Sequence, residues 1–218
     1  MSSTSCGATG RCAPSAVHEV RPRLGVIGGS FDPPHVGHLV IASEAHARLG
    51  LERVLFVPAA APPHKDLEQR TSADVRLEMT ALAVADDMRF VASGLEIERG
   101  LVYTSDTLSA VAERFPGRDL VFIMGSDSLL QFDTWHDAEA ILGRCTLAVA
   151  PRPEDDRATI AAAAARWGAD RVAVLEAPPV GVSSSQIRAR VAAGLPLRYL
   201  VPEAVEEFIS RHGLYGRA

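Results

Sequence analysis

The segment Gly28-Gly29-Ser30-Phe31-Asp32-Pro33-Pro34-His35-Val36-Gly37-His38 holds the densest cluster of chemistry-bearing residues in the chain. Paired glycines let a backbone come close to a ligand, and free amides at a helix start receive phosphate oxygens. With a helix opening at about Gly37, the segment reads as a cradle for a nucleotide phosphate. It is neither G-x-G-x-x-G nor a Walker A loop, since no Gly-Lys-Ser/Thr follows, so dinucleotide hydride transfer and P-loop hydrolysis lose their support. His35 and His38, three residues apart, should project from one side of the first helical turn. There the two imidazoles can donate hydrogen bonds to a phosphoryl group as charge builds during displacement. Two rival readings stand beside this one. Asp32, His35 and His38 could be metal ligands of oxygen and nitrogen type, although cations would then crowd a turn suited to an anion, and no protein metal site is expected. Alternatively, the segment is a turn with capping histidines.

Four further positions carry chemical potential. Asp127 follows a run ending in Gly125 and either hydrogen-bonds ribose hydroxyls or serves as an ordinary N-cap. Ser183, Ser184 and Ser185 open a helix, and Arg188 returns one turn later on the same face; this is a second anion site or a Ser-rich cap. Trp135 stands beyond the fourth apolar run, where its ring can stack on a flat pyridine ring or serve as buried structure. Finally, 21 of the 22 basic residues are arginine and only Lys65 is lysine. Lys65 lies in a loop after the second apolar run, and a compact ammonium meets a phosphate as a point charge.

The elements that must position these residues follow from periodicity. Short apolar runs at 24–28, 53–57, 89–92, 119–124, 146–150 and 171–175 suit strands covered on both faces. Helical spacing separates them: Leu39, Ala42, Ala45 and Leu49 in one stretch, with Gly50 as its stop, and Val75, Met79, Leu82 and Ala83 in the next. Two more helices, from about Ser184 and from Pro202, close the chain. The expected fold is α/β, a Rossmann-like open parallel sheet with helices on both faces and C-terminal helices. Its ligand site should lie beyond the carboxyl ends of the strands, where the strand order reverses.

Composition sets the outer bounds. The chain has 218 residues, 47% of them hydrophobic, enough for one domain plus a tail. A net charge of -5 and 6% aromatic residues argue against nucleic acid or an anionic membrane surface as a partner. No apolar run of about 18 residues signals a transmembrane helix. Residues 1–22 lack the apolar stretch of a signal peptide and read as a disordered tail, leaving 23–218 as the domain. Cys6, Cys12 and Cys145 match neither a disulfide framework nor a zinc pattern, which points to a reducing compartment and a cytoplasmic location. No signal for an oligomeric state stands out.

GGSFDPPHVGHL closely resembles the signature of the nucleotidylyltransferase superfamily, G-G-[ST]-F-D-P-x-H-x-G-H. Four later segments look like bacterial nicotinate-nucleotide adenylyltransferase: Pro62-Pro63-His64-Lys65, Tyr103-Thr104-Ser105-Asp106-Thr107-Leu108, Gly125-Ser126-Asp127 followed by Trp135-His136, and Val182-Ser183-Ser184-Ser185-Gln186-Ile187-Arg188. The resemblance implies transfer of AMP from ATP to nicotinate mononucleotide, with release of nicotinate adenine dinucleotide and pyrophosphate. It implies ATP contacts from Gly28, Gly29, Ser30, Phe31, His35, His38, Gly125, Asp127, Ser183, Ser184 and Arg188. By the same likeness Trp135 stacks on nicotinate, while backbone groups of His136 and Thr104 bind its carboxylate. The family often has Tyr at the position of His136. His35 and His38 fall on the α-phosphate, with Lys65 and Arg188 on the outgoing phosphates. Magnesium is expected mainly on the ATP phosphates.

Competing readings remain at this level. A sibling transferase would act on nicotinamide mononucleotide, phosphopantetheine or an alcohol phosphate with CTP; the Trp135 context and Val182-Ser183-Ser184-Ser185 speak against the last two. One carboxylate against one amide is a matter of a few hydrogen bonds, so the nicotinamide form stays open. A non-catalytic nucleotide-binding module would bind ATP without releasing pyrophosphate, and a metal-dependent hydrolase would use Asp32, His35 and His38.

Overall fold

The computed structural model of the protein describes residues 21–61, 71–152 and 154–216. The expected tail, with Cys6 and Cys12, lies outside the described residues apart from Arg21 and Pro22, and the Pro22 carbonyl accepts the Asp119 N–H at 3.0 Å. The six expected strands are present as β1 (Arg23–Gly29), β2 (Leu51–Pro58), β3 (Phe90–Ala92), β4 (Asp119–Gly125), β5 (Cys145–Ala150) and β6 (Val172–Val174). They form one sheet in the order β3-β2-β1-β4-β5-β6, and every neighbouring pair is parallel. The order reverses between β1 and β4, so the crevice of this topology opens past Gly29 and Gly125.

Both sheet faces are buried, which is why the strands read as unbroken apolar runs. Leu24, Val26, Leu120, Phe122, Met124, Leu147 and Val149 point to one face. Helices α3 (Leu95–Arg99), α4 (Thr104–Arg114), α5 (Ser126–Leu130), α6 (Ala138–Arg144) and α7 (Arg157–Trp167) cover it through residues such as Leu108, Leu129 and Ile160. Intervening positions Ile27, Val54, Phe56, Val121, Ile123 and Ala148 point to the other face, where α1 (Val36–Leu49) packs through Ala42 and Ala45. Gly50 ends α1 in the left-handed conformation (φ 60°), the stop its position suggested.

Helix α2 (Ala73–Val84) is half-committed to the sheet. Val84 joins the second face, whereas Met79, with Val75, Leu82 and Ala83 around it, meets Ile187 of α8 (Ser184–Ala192) and Val205, Phe208 and Ile209 of α9 (Glu203–Arg211). Each such large side chain stabilises by about 1.5–3 kcal/mol when fully buried. This third cluster anchors the C-terminal helices and brings Arg188 against the loop after β1. The short helices α3, α5 and α6 escape helical periodicity because five to seven residues make too few turns to write a stripe.

Candidate active site

The loop after β1 begins with room made by glycine. A Cβ on Gly29 would sit 3.3 Å from the Phe31 ring, so the ring occupies the space glycine leaves. Phe31 is buried, with φ 48°, a left-handed backbone that a bulky residue adopts only when its surroundings hold it there. Its ring meets His38 edge-on, with centroids 4.9 Å apart, and Phe56 at 5.8 Å.

His35 is the N-cap of α1, and its ring stacks on His38 with centroids 3.7 Å apart. The His35 backbone N–H donates to His38 Nδ1 at 3.2 Å. Because Nδ1 accepts there, the proton of a neutral His38 sits on Nε2, ready to donate outward. Burial lowers the His35 pKa to about 4. His38 is held well below its ordinary value, first by burial and then by the neighbouring His35. Both imidazoles are therefore neutral at pH 7 and offer one N–H donor each. His35 Nδ1 is buried and, among the described residues, has no hydrogen-bond partner, so a polar group waits in the site. A Cβ on Gly37 would come 2.9 Å from that same Nδ1, which makes Gly37 the residue that lets the ring lie where it does.

The start of α8 closes over this loop. Ser184 Oγ donates to the Pro33 carbonyl at 2.8 Å, and Arg188 Nη1 donates to the Asp32 carbonyl at 2.7 Å. Ser183 is the N-cap, with Gln186 completing a capping box, so its hydroxyl realises the capping role while its segment still delivers helix amides and a guanidinium beside the histidines. Asp127 is not an N-cap: Gly125 holds that place in α5, and a Cβ there would fall 2.6 Å from Asp127 Oδ1. The Asp127 carboxylate instead pairs with Arg152 at 2.7 Å, and both side chains are half exposed.

On the other side of β4, Trp135 is half-buried, its ring tilted against Phe132 (centroids 5.5 Å apart) and edge-on to Phe122 (6.0 Å). Its ring packs against the core and keeps some surface free. The next residue, His136, stacks on Tyr103 with centroids 4.0 Å apart. Tyr103 is the N-cap of α4 and Thr104 its first residue, so the stack brings the two expected acceptor segments together at a helix start that has no side-chain cap among the described residues. Lys65 and the rest of Pro62-Pro63-His64-Lys65 lie outside the described residues.

This arrangement has close parallels. The cytidylyltransferase-like family model matches residues 26–190. A relative from Thermus thermophilus is 45% identical, covering 88% of this chain and 99% of its own, and one from Geobacter sulfurreducens is 40% identical, covering 88% and 98%. Both carry the name "Probable nicotinate-nucleotide adenylyltransferase". The chain belongs to the nicotinate-nucleotide adenylyltransferase family. In fold it also matches the Plasmodium falciparum nicotinic acid mononucleotide adenylyltransferase solved in complex with NaAD, at TM-score 0.74 and 17% identity, over 89% of this chain and 97% of that one.

For a member of this family, several structural residues were invisible to motif reading. Arg76 is buried in α2 and donates to the carbonyls of Ser30 (2.7 Å), Ala59 (2.6 Å) and Thr71 (3.2 Å), tying the loops after β1 and β2 together. Glu96 is buried, with its pKa raised by burial, and accepts from Thr107 Oγ1 (2.7 Å) and the Ala60 N–H (3.3 Å), fixing α4 to the end of β2. Arg152 had one available signal: a basic residue just past β5, on the carboxyl edge of the sheet. Asp32 points its carboxylate at the Tyr215 hydroxyl, and no group of three His, Cys, Asp or Glu among the described residues can hold a metal ion.

Proposed function

We propose that the chain transfers AMP from ATP to nicotinate mononucleotide, giving nicotinate adenine dinucleotide and pyrophosphate. The observation that carries this reading is the stacked His35–His38 pair at the reversal of strand order, in a chain 45% identical to a relative named for this reaction. A 5'-phosphate oxygen of the mononucleotide forms a bond to the α-phosphorus of ATP as the bond to the bridging α,β oxygen breaks, and pyrophosphate leaves with that electron pair. Phosphate monoesters are mostly ionised near pH 7, their second pKa being about 6, so no general base is needed. The protein contributes alignment and donors.

His38 Nε2–H and the unpartnered edge of His35 serve the α-phosphate, with the amides from Gly28 to Phe31 and at the start of α1 around it. Arg188 with the Ser183–Ser184 helix start, joined by Lys65, serves the outgoing phosphates. Asp127 and Gly125 take the ribose end of ATP. Trp135 stacks on the nicotinate ring, and backbone groups of Thr104 and His136 bind its carboxylate. Magnesium held by the ATP phosphates would offset their charge. The reading puts the reaction in the cytoplasm; among the described residues no helix is long and apolar enough to cross a membrane.

Pyrophosphate release from ATP, followed with nicotinate mononucleotide, nicotinamide mononucleotide and phosphopantetheine as acceptors, tests this. The highest kcat/KM is expected with nicotinate mononucleotide. Preference for either other acceptor would replace the substrate assignment, and ATP binding without turnover would make the chain a binding module.

A further inference from the structure

The loop that carries the histidines is held from several directions by side chains remote in sequence. Arg76 grips the Ser30 carbonyl at 2.7 Å, Arg188 the Asp32 carbonyl at 2.7 Å, and Ser184 the Pro33 carbonyl at 2.8 Å. The buried Asp32 carboxylate of the same loop is met by Tyr215, whose hydroxyl donates to Asp32 Oδ1 at 2.5 Å. Tyr215 lies beyond α9, at the far end of the described chain. Its hydroxyl accepts from Thr71 Oγ1 at 3.3 Å and lies 3.9 Å from Met79 Sδ, so it is held between α2 and the loop.

We infer that Tyr215 is a positioning residue for the reaction. Its hydroxyl fixes Asp32, and Asp32 sets both the entry into the His35–His38 pair and the resting place of Arg188. A buried carboxylate has to be hydrogen-bonded, and without the phenol Asp32 would turn toward another donor. The nearest rearrangement pulls the loop away from Arg188, whose Nη1 sits on the backbone carbonyl of that same residue. The C-terminal segment thereby reaches the reacting phosphates without touching them. This inference rests on the adenylyl-transfer reading for its kinetics, but its geometry can be tested without it.

Tyr215→Phe keeps the ring in its place beside the C-terminal cluster and removes only the hydroxyl. Measured on the full chain, kcat should fall roughly tenfold, which corresponds to one hydrogen bond lost from transition-state alignment. The KM for nicotinate mononucleotide should stay within about twofold, because Trp135 and Thr104 lie on the other side of β4. The imidazole proton and nitrogen resonances of His35 and His38 should shift, because the loop that carries them moves when Asp32 loses its partner. Asp32→Asn, tested as a second variant, removes the charged acceptor, and its loss of kcat should add less than independently to that of Tyr215→Phe. An unchanged kcat, unmoved imidazole resonances, or additive losses would each overturn the inference. Should the unsubstituted chain transfer no adenylyl group, the functional reading fails, while the imidazole resonances still decide whether Tyr215 positions the pair.

Discussion

Replacing Gly37 by Ala tests the position of His35 against the rest of the fold. The new Cβ would lie 2.9 Å from His35 Nδ1 and 3.0 Å from Cε1, where ordinary contact begins at 3.4 Å, so the ring has to move by about 0.5 Å. It is stacked on His38 at 3.7 Å, and His38 is backed by Phe31, so the displacement disturbs the pair rather than one free side chain. A misplacement of about 1 Å can cost about a hundredfold in rate, which makes half that distance worth about tenfold in kcat. Stability should fall by no more than about 2.5 kcal/mol, because alanine gains about 0.5–1 kcal/mol over glycine in a helix against an overpacking cost of about 1–3 kcal/mol. The control is Gly143→Ala in α6, where an added Cβ meets nothing within 4 Å; it should leave kcat unchanged. Initial rates of pyrophosphate release at saturating substrates, with urea unfolding on the same preparations, measure both quantities. Full kcat in Gly37→Ala would refute the claim that the position of His35 limits turnover. A stability loss above about 3 kcal/mol would mean that the clash spreads into the fold instead of staying in the site.

Three further outcomes follow from the same structure. His35 has a folded-state pKa of about 4 against an ordinary 6.5, so between these values the unfolded chain binds more protons and stability falls as pH falls. About 2 kcal/mol should be lost from this residue between pH 7 and pH 5, levelling off below about 4, and His35→Gln should remove that part of the slope in urea titrations; equal slopes would reject the assignment. Trp135→Ala should raise the KM for nicotinate mononucleotide by about tenfold while changing kcat less, since ring stacking is binding common to ground and transition states; an unchanged KM would take Trp135 out of the acceptor site. Arg76→Met keeps an apolar stem but strips the donors from the Ser30, Ala59 and Thr71 carbonyls, and should cost about 3 kcal/mol or more in denaturant unfolding; a loss below about 1 kcal/mol would show that those loops hold without it.

The legible and illegible parts of this protein divide along a physical line. Strands buried on both faces must be apolar throughout, so the six runs and their parallel α/β class could be read directly from sequence, and Gly50 marked a helix end because few other residues accept φ 60°. The histidine pair and the Ser-rich helix start were readable for the same reason: their chemistry depends on residues close in sequence, at spacings set by one helical turn. Asp127 was readable as a carboxylate on the sheet edge but not as the partner of Arg152, because that pairing depends on β4 and β5 lying side by side. Arg76, Glu96 and Tyr215 belong wholly to the tertiary structure. Each is an ordinary polar residue in its own segment and acquires a role only when α2, α3 or the chain beyond α9 is folded against the loops after β1 and β2. Sequence alone determined which polar groups gather in the loop after β1 and at the start of α8, since each set is local in sequence; folding decided what holds them still, since a buried carbonyl or carboxylate takes its donor from whatever element packs beside it.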